Sequence, residues 1–396
     1  MLNERIAELT DYPFERLRVL LGDSQPGPGV ATIAMSIGEP KHAPPAIVAE
    51  TVARFAGDWN KYPATNGTAE LRQAIADWLN RRYALPQGLV EADRNVLPVA
   101  GTREALFMAA LVCVPASKAG HRPVVLTPNP LYQVYAGAAI MAGAELVPVP
   151  ATRDSGFLPD YESLPSRLLD RCALAYLCSP SNPEGAVADS GRLARLVALA
   201  RRHGFVLAAD HCYADIYDRA PPPSALGACA SLGRDLDGVL VFHSLSKRSS
   251  VPGLRSGFIA GAKDLIAAFA RLRAYAGATT PVPIAAAAAA LWRDEAHVDA
   301  NRALYRAKFD IAERIIGNRF GFYRPAGGFY LWLDVGNGET AARALWTKAG
   351  VRTLPGAYLA REQANGENPG ARYIRVSLVD DLPAVKLGLE RMADVL

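Results

Sequence analysis

Cysteine pairs, histidine clusters, long apolar runs and blocks of like charge are all missing from this sequence, and each absence removes a class of protein. The five cysteines, Cys113, Cys172, Cys178, Cys212 and Cys229, are odd in number and contain no C-x-x-C pair. Neither a disulfide framework nor a zinc site is expected, only small buried thiols in a reducing cytoplasm. Six scattered histidines give no ligand spacing, so no metal is expected. The longest apolar run, Ile284 to Trp292, is closed by Arg293 and Asp294, which is far too short for a bilayer. Residues Met1 to Thr10 lack the basic start and apolar stretch of a secretory signal, so a cytoplasmic location is expected. The formal charge of +4 is spread without basic blocks, which argues against a nucleic-acid groove and suits small anionic substrates. No internal repeat or low-complexity linker interrupts the chain.

What is present is a soluble globular composition, 50% hydrophobic and 21% charged, on 396 residues. That length exceeds one ordinary core, so two domains are expected. From Asn95 to Val241 short apolar runs alternate with helical stretches such as Arg192 to Arg202. The runs include Val96–Ala100, Pro123–Thr127, Glu145–Val149, Leu174–Cys178 and Phe205–Ala209. This alternation indicates an α/β domain whose mostly parallel sheet is covered by helices on both faces. The periodicity predicts a helix from Pro44 to Phe55, another opening at Thr68 as N-cap, and one long alanine-rich helical connection from Ile284 to Ile316. Beyond it, strand signals at 328–334, 351–354 and 373–377 alternate with helices at 340–349 and 382–396, as in a smaller α+β unit. The expected division is a large domain of residues 46–285 and a small one of residues 1–45 with 286–396. Residues 1–45 form an entry arm, with a short amphipathic start, a turn at 25–29 and then a strand-like stretch at 32–37.

In α/β folds chemistry gathers at strand ends, and four such places carry suitable residues. After the strand Gly238–Phe242 comes His243-Ser-Leu-Ser-Lys-Arg248, then Gly253-Leu-Arg-Ser-Gly257. A lysine drawn out of bulk water there can lose its proton and bond a carbonyl carbon. Ser244, Ser246 and Arg255 can bind phosphate oxygens. Gly101-Thr-Arg103 places a glycine, a hydroxyl and a helix N-terminus where a second set of phosphate contacts can form. Ser179-Pro-Ser-Asn-Pro183 aims Asn182 as a hydrogen-bond donor to a phenolate. Asp210, at the end of five apolar residues, needs a cation, and a protonated pyridine nitrogen is one. Each residue alone reads equally as a cap, a turn or a surface charge. Together, Asn182, Asp210, Tyr213, Lys247 and Arg255 supply what pyridoxal phosphate requires.

Ser179-Pro-Ser-Asn-Pro183, Asp210-x-x-Tyr213, Ser244-Leu-Ser-Lys247 and Gly253-Leu-Arg-Ser-Gly257 resemble the class I and II aminotransferases of pyridoxal-phosphate fold type I, over nearly the whole chain. The resemblance implies pyridoxal 5′-phosphate as cofactor, bonded to Lys247. It implies that Asp210 pairs with the pyridine nitrogen and that Asn182 and Tyr213 hold the phenolic oxygen. Gly101, Thr102, Arg103, Ser244, Ser246 and Arg255 then hold the phosphate, and Tyr132 stacks on the ring. Arg375, in Tyr373-Ile-Arg-Val-Ser377, matches the arginine that binds the substrate α-carboxylate, where Gly38 and Asn182 also contribute. Tyr62 matches a tyrosine that reaches the phosphate site of a second subunit, which implies a homodimer with shared sites.

More narrowly, Tyr12-Pro-Phe-Glu-Arg-Leu17, Ser36-Ile-Gly-Glu-Pro-Lys-His42 and Lys61-Tyr62 resemble the succinyldiaminopimelate transaminases of bacterial lysine and cell-wall precursor synthesis. The implied reaction exchanges an amino group between glutamate and 2-oxoglutarate on one side and N-succinyl-diaminopimelate and its 2-oxo counterpart on the other. Lys41, Arg18 and Arg273 are the candidate cations for the succinyl carboxylate. Departures are His211, where that family often carries glutamate, and Glu184 for a usual threonine. Aminotransferases of aspartate, alanine or aromatic amino acids are the alternative, and a regulatory protein that senses the cofactor is a remote one. The second would carry an added DNA-binding domain, for which the arm before Ser36 leaves no room.

Overall fold

A computed structural model describes all residues except Met1, Pro28 and Arg234. The expected turn at 25–29 therefore includes one residue, Pro28, outside the described ones. Among the described residues, twelve strands form three sheets. The first strand, β1 (Ile33–Ala34), is shorter than the 32–37 stretch led us to expect. The large sheet holds β2 (Val96–Val99), β3 (Val124–Asn129), β4 (Glu145–Pro150), β5 (Cys172–Cys178), β6 (Val206–Asp210), β7 (Val239–Ser244) and β8 (Gly257–Gly261). Their order is β2-β8-β7-β6-β5-β3-β4, and only β8 runs against its neighbours.

Every residue of β3, β5 and β7 is buried. Helices cover both faces, which is why these strands read as unbroken apolar runs rather than alternating ones. One face packs against helices Ala69–Arg82, Ser190–His203 and Val282–Arg293, and the other against Thr102–Cys113, Gln133–Met141 and Lys263–Ala276. Thr68 caps its helix as expected, its hydroxyl accepting from the Leu71 N–H at 3.2 Å.

A second core forms around β9 (Tyr330–Asp334) and β12 (Tyr373–Ser377), antiparallel neighbours in a three-stranded sheet with β11 (Leu354–Pro355). Helices Ala296–Ile316, Gly338–Ala349 and Leu382–Val395 pack on it, and so do Ile33 and Met35 of the N-terminal arm. Strand β10 (Val351–Arg352) pairs with β1 in parallel.

The connection from Ile284 to Ile316 is not one helix. It breaks at Asp294, whose backbone is extended, into Val282–Arg293 and Ala296–Ile316. The Asp294 carboxylate accepts from the His297 N–H at 3.2 Å, capping the second helix. The buried Arg248 guanidinium grips the Asp294 carbonyl and the Glu295 carboxylate, so the break is held by groups that periodicity does not register. The first helix belongs wholly to the large core: Trp292 lies 4.7 Å from Trp78, ring to ring. Packing thus carries the large unit past residue 285, and we propose the break at Asp294–Glu295 as the division between the two units. No helix among the described residues is long and apolar enough to cross a membrane.

Candidate active site

Register fixes where the chemistry-bearing residues meet. Cys178 of β5 lies opposite Asp210 of β6, and Asp210 opposite Phe242 of β7. The antiparallel β8 brings its first residue, Gly257, beside both Ser244 of β7 and Val99 of β2. One edge of the sheet therefore gathers the turns after β2, β3, β5, β6 and β7 and the turn before β8. Strand β12 approaches the same edge from the smaller sheet with Arg375.

Between them is a cavity of about 500 Å³. Its wall includes Gly38, Thr102, Arg103, Tyr132, Asn182, Asp210, Tyr213, Ser244, Ser246, Lys247, Arg255 and Arg375, so residues 337 positions apart in sequence, Gly38 to Arg375, share one site. Gly101 stands directly behind the wall. Its φ of +92° suits glycine, and a Cβ there would lie 2.2 Å from Arg255 Nη2. Tyr62 is fully exposed and does not reach this cavity. Of the three cations expected at the distal carboxylate, none lines it. Lys41 pairs with Asp380 at 2.5 Å, Arg18 with Glu15 at 2.5 Å. Arg273 is buried, spending its guanidinium on the carbonyls of Thr65, Pro98 and Ala278.

Lys247 sits on a single helical turn, Leu245–Arg248, just past β7, and donates from Nζ to the Gly38 carbonyl at 2.8 Å. Burial lowers its pKa to about 8, opposed by Cys212 and Glu39 and assisted by Arg375 and Arg103. The sign follows directly: below that value the amine is protonated and inert, above it nucleophilic. In the cofactor-free protein, labelling of Lys247 by an amine-selective reagent is expected to rise with a midpoint near pH 8. A midpoint at the ordinary lysine value would contradict the burial of this amine.

Asp210 is 4% exposed. Its Oδ2 accepts from the Tyr135 hydroxyl at 2.6 Å and Oδ1 from the Cys212 N–H at 3.1 Å. No cation among the described residues pairs with it. Tyr135 was not foreseen, because its helix Gln133–Met141 reads as uniformly apolar. Burial, then the Asp210 charge, pushes the Tyr135 phenol well above its usual pKa, so it remains a donor. Tyr135→Phe removes one of two donors to a buried carboxylate and is expected to lower the unfolding free energy of the cofactor-free protein by about 1–3 kcal/mol. Denaturant midpoints measure this, and an unchanged midpoint would mean that the phenol is dispensable to Asp210.

Arg375 is 4% exposed and lies over the Tyr330 ring at 4.4 Å. It donates through Nη1 to Asn182 Oδ1 at 3.1 Å and through Nη2 to the Ser36 carbonyl at 2.8 Å, while Nε has no partner. Since a guanidinium only donates, the Asn182 oxygen must face it. The Asn182 nitrogen is thereby aimed at the Tyr213 hydroxyl, 3.4 Å away, which is itself 3.2 Å from the Tyr330 hydroxyl. Tyr330 was also missed. A Cβ on Gly38 would lie 1.8 Å from its hydroxyl, so this glycine admits a tyrosine. Arg103 donates to the Tyr132 hydroxyl at 2.8 Å, and Arg255 to the carbonyls of Pro252 and Ala100.

The two departures are accommodated in the loops beside the site. His211 Nδ1 lies 2.8 Å from the Ser179 carbonyl, so it carries the proton, and Nε2 accepts from the Ala225 N–H. Burial holds this ring neutral. Glu184 is 2% exposed with Oε1 unpartnered, and burial raises its pKa to about 8.

Comparison with known proteins matches residues 31–381 to the family Aminotransferase class I and II. The chain belongs to that family. An LL-diaminopimelate aminotransferase of Desulforudis audaxviator is 31% identical over 399 residues, covering 98% of this chain and 96% of that one. The 4-dedimethylamino-4-oxo-anhydrotetracycline transaminase of Streptomyces rimosus is 32% identical, over 93% of this chain and 95% of that one. Among solved structures, an aminotransferase from Neisseria meningitidis superposes with a TM-score of 0.94 at 39% identity, over 99% of both chains.

Class I and II aminotransferases depend on pyridoxal 5′-phosphate, and this aminotransferase fits it on its own geometry. A buried carboxylate without a cation faces the cavity, as does a guanidinium with a free N–H. Two serines, Arg255 and a helix N-terminus line the same cavity, and Gly101 keeps the backbone clear of Arg255. The fold is the expected α/β one, a large sheet between helices with a smaller sheet unit.

Proposed function

We propose that this aminotransferase moves amino groups between N-succinyl-LL-diaminopimelate and 2-oxoglutarate, with Lys247 as the residue that bonds the cofactor and moves the substrate proton. The observation that carries the reaction is a lysine amine of lowered pKa in the same 500 Å³ cavity as the uncompensated Asp210 and the half-partnered Arg375. When bound, pyridoxal phosphate supplies an aldehyde carbon for amine capture and a ring that accepts electrons.

Ser244, Ser246, Arg255 and the N–H groups following Gly101 hold the phosphate. Asp210, whose carboxylate accepts two hydrogen bonds and has no cation beside it, would pair with the protonated pyridine nitrogen. Tyr213 and Asn182 would hold the phenolic oxygen, and Tyr132 would cover the ring. Arg375 binds the substrate α-carboxylate with its planar fork, with Gly38 and Asn182 beside it. This fixes Cα within reach of Lys247 Nζ, which takes the proton as base and returns it as acid. Tyr62 serves the phosphate of a second copy, a reading supported by its full exposure together with the exposed aromatics Tyr275 and, at 54%, Trp59.

The substrate reading rests on the resemblance of Ser36–His42 and on Arg103. With Arg255 given to phosphate and Arg375 to the α-carboxylate, Arg103, expected on the phosphate and here kept there through its backbone N–H, is the remaining guanidinium on the cavity wall, and its side chain can meet a distal carboxylate. A second reading, unmodified LL-diaminopimelate, is favoured by Glu39, a carboxylate on the same wall suited to a free distal ammonium, and by the named activity of the Desulforudis relative. Initial rates with 2-oxoglutarate and each donor in turn separate them. The expected result is at least about tenfold higher kcat/KM for the succinylated donor, the range that one group's contacts can supply. Equal or better use of LL-diaminopimelate would replace the substrate, and turnover of aspartate alone would remove diaminopimelates altogether.

A further inference from the structure

The turn that bears Lys247, Leu245–Arg248, is one helical turn long and has only a short ladder, with the Ser249 N–H donating to the Leu245 carbonyl at 3.0 Å. Its last carbonyls are the orphans that any helix C-terminus leaves. Two of them are taken by one side chain from the other unit. The Asn301 amide nitrogen donates to the Lys247 carbonyl at 3.1 Å and the Arg248 carbonyl at 3.0 Å. Asn301 is buried on helix Ala296–Ile316.

The directions of these bonds propagate outward. With the Asn301 nitrogen committed to carbonyls, its Oδ1 is the acceptor that faces His42 Nδ1 at 2.6 Å, so the imidazole carries its proton on Nδ1. Nε2 is then a lone pair, and Lys308 Nζ donates to it at 2.6 Å. Burial first lowers the pKa of His42, opposed by the hydrogen bond to Asn301 and assisted by the Lys308 charge, which agrees with a neutral ring. Lys308 itself is 1% exposed. The ring also lies against Tyr305, with centroids 4.6 Å apart.

The same segment is tied to the lysine turn twice more. Ser250 donates to the His42 carbonyl at 2.9 Å, and Lys247 Nζ to the Gly38 carbonyl at 2.8 Å. The Gly38 end of this stretch is thus fastened to the turn itself and the His42 end to Ser250, two residues past the turn. The stretch continues directly from Ser36, whose carbonyl holds Arg375.

We infer that Asn301, oriented by His42, is a positioning residue that holds the Lys247 turn in register with the Gly38–His42 segment, and through it with the carboxylate-binding Arg375. The inference rests on Lys247 being the reactive amine. Neither Asn301 nor His42 lines the cavity, so both act only through the turn. Without the amide, one buried and one half-buried carbonyl lose their donor, the turn loosens, water reaches Nζ and the amine becomes more basic.

The test uses wild type, Asn301→Ala, His42→Phe and His42→Asn. Amine-selective labelling of Lys247 in the cofactor-free proteins is read against pH by peptide mass spectrometry, and kcat and KM are measured in the loaded enzymes. Thermal midpoints are recorded alongside. Asn301→Ala is expected to raise the Lys247 labelling midpoint by at least half a pH unit and to lower kcat at least about tenfold with KM changed less than threefold, since Arg375 still binds the carboxylate. His42→Phe, which keeps the ring against Tyr305 but lacks the Nδ1 donor, shifts both readings the same way by less. His42→Asn, whose amide reaches the Nδ1 position, restores them. Should Asn301→Ala fail to fold, the His42 pair decides. A Lys247 midpoint and kcat unchanged in the folded variants, whatever their thermal midpoints, would overturn the positioning role. A wild-type Lys247 with an ordinary midpoint and no bonded cofactor would instead overturn the reading of Lys247, and this inference with it.

Discussion

Replacing Lys247 by alanine is expected to slow amino-group transfer by about 10³-fold or more, at the upper end of what a positioned proton carrier contributes. The size of the loss follows from the poverty of substitutes. Beside the carboxylates of Glu39 and Asp210 and the phenols of Tyr12 and Tyr330, the wall carries the phenols of Tyr132, Tyr135 and Tyr213 and the thiols of Cys178 and Cys212. Burial pushes these last five up, so none of the five can take a proton near neutral pH, and no histidine lines the cavity. The phosphate contacts of Ser244, Ser246 and Arg255 do not involve the lysine amine, so the variant should still retain cofactor. Rapid mixing of the loaded variant with glutamate measures the half-reaction, and a rate within tenfold of wild type would show that another group does the work.

Arg375→Ala is expected to lower kcat/KM for both the amino donor and the 2-oxo acid by roughly 10²- to 10³-fold, corresponding to about 3–4 kcal/mol for losing one member of a buried, hydrogen-bonded charge pair. Both substrates suffer because both present a carboxylate to the same fork. Arg375→Lys should recover little. One ammonium cannot at once satisfy Asn182 Oδ1, the Ser36 carbonyl and two carboxylate oxygens, which the guanidinium reaches through separate N–H groups. Steady-state kinetics on both substrates, with cofactor affinity measured in parallel, checks this. A loss confined to one substrate, or recovery by lysine to within tenfold, would place the α-carboxylate elsewhere.

Much of the site was legible in the sequence because a buried parallel strand has a simple signature and ends where ligands bind. Asp210 stands at the end of an apolar run, and such a carboxylate demands a partner. Lys247 follows the next run, and Asn182 the one before. Strand register then brings the three turns to a common edge without further information. The residues that escaped are those whose role depends on contacts no local pattern encodes. Tyr135 reaches Asp210 across 75 positions from a helix without a polar face. Tyr330 is one aromatic in a hydrophobic strand, and its place at Gly38 depends on how the small sheet docks. The break at Asp294 was hidden because the helical periodicity continues on both sides, while the groups that pin it, Arg248 above all, lie far away in sequence. The distal cations failed for a related reason: Lys41, Arg18 and Arg273 have the right charge, but each has a nearer acceptor.

The account stands or falls on which amine bonds the cofactor. Borohydride reduction of the protein loaded with pyridoxal phosphate, followed by proteolysis and peptide mass mapping, locates that amine directly. The expected result is stoichiometric pyridoxyl attachment to the peptide containing Lys247, lost when the protein is first treated with excess glutamate. Attachment at another lysine, such as the buried Lys308, or none at all, would contradict it.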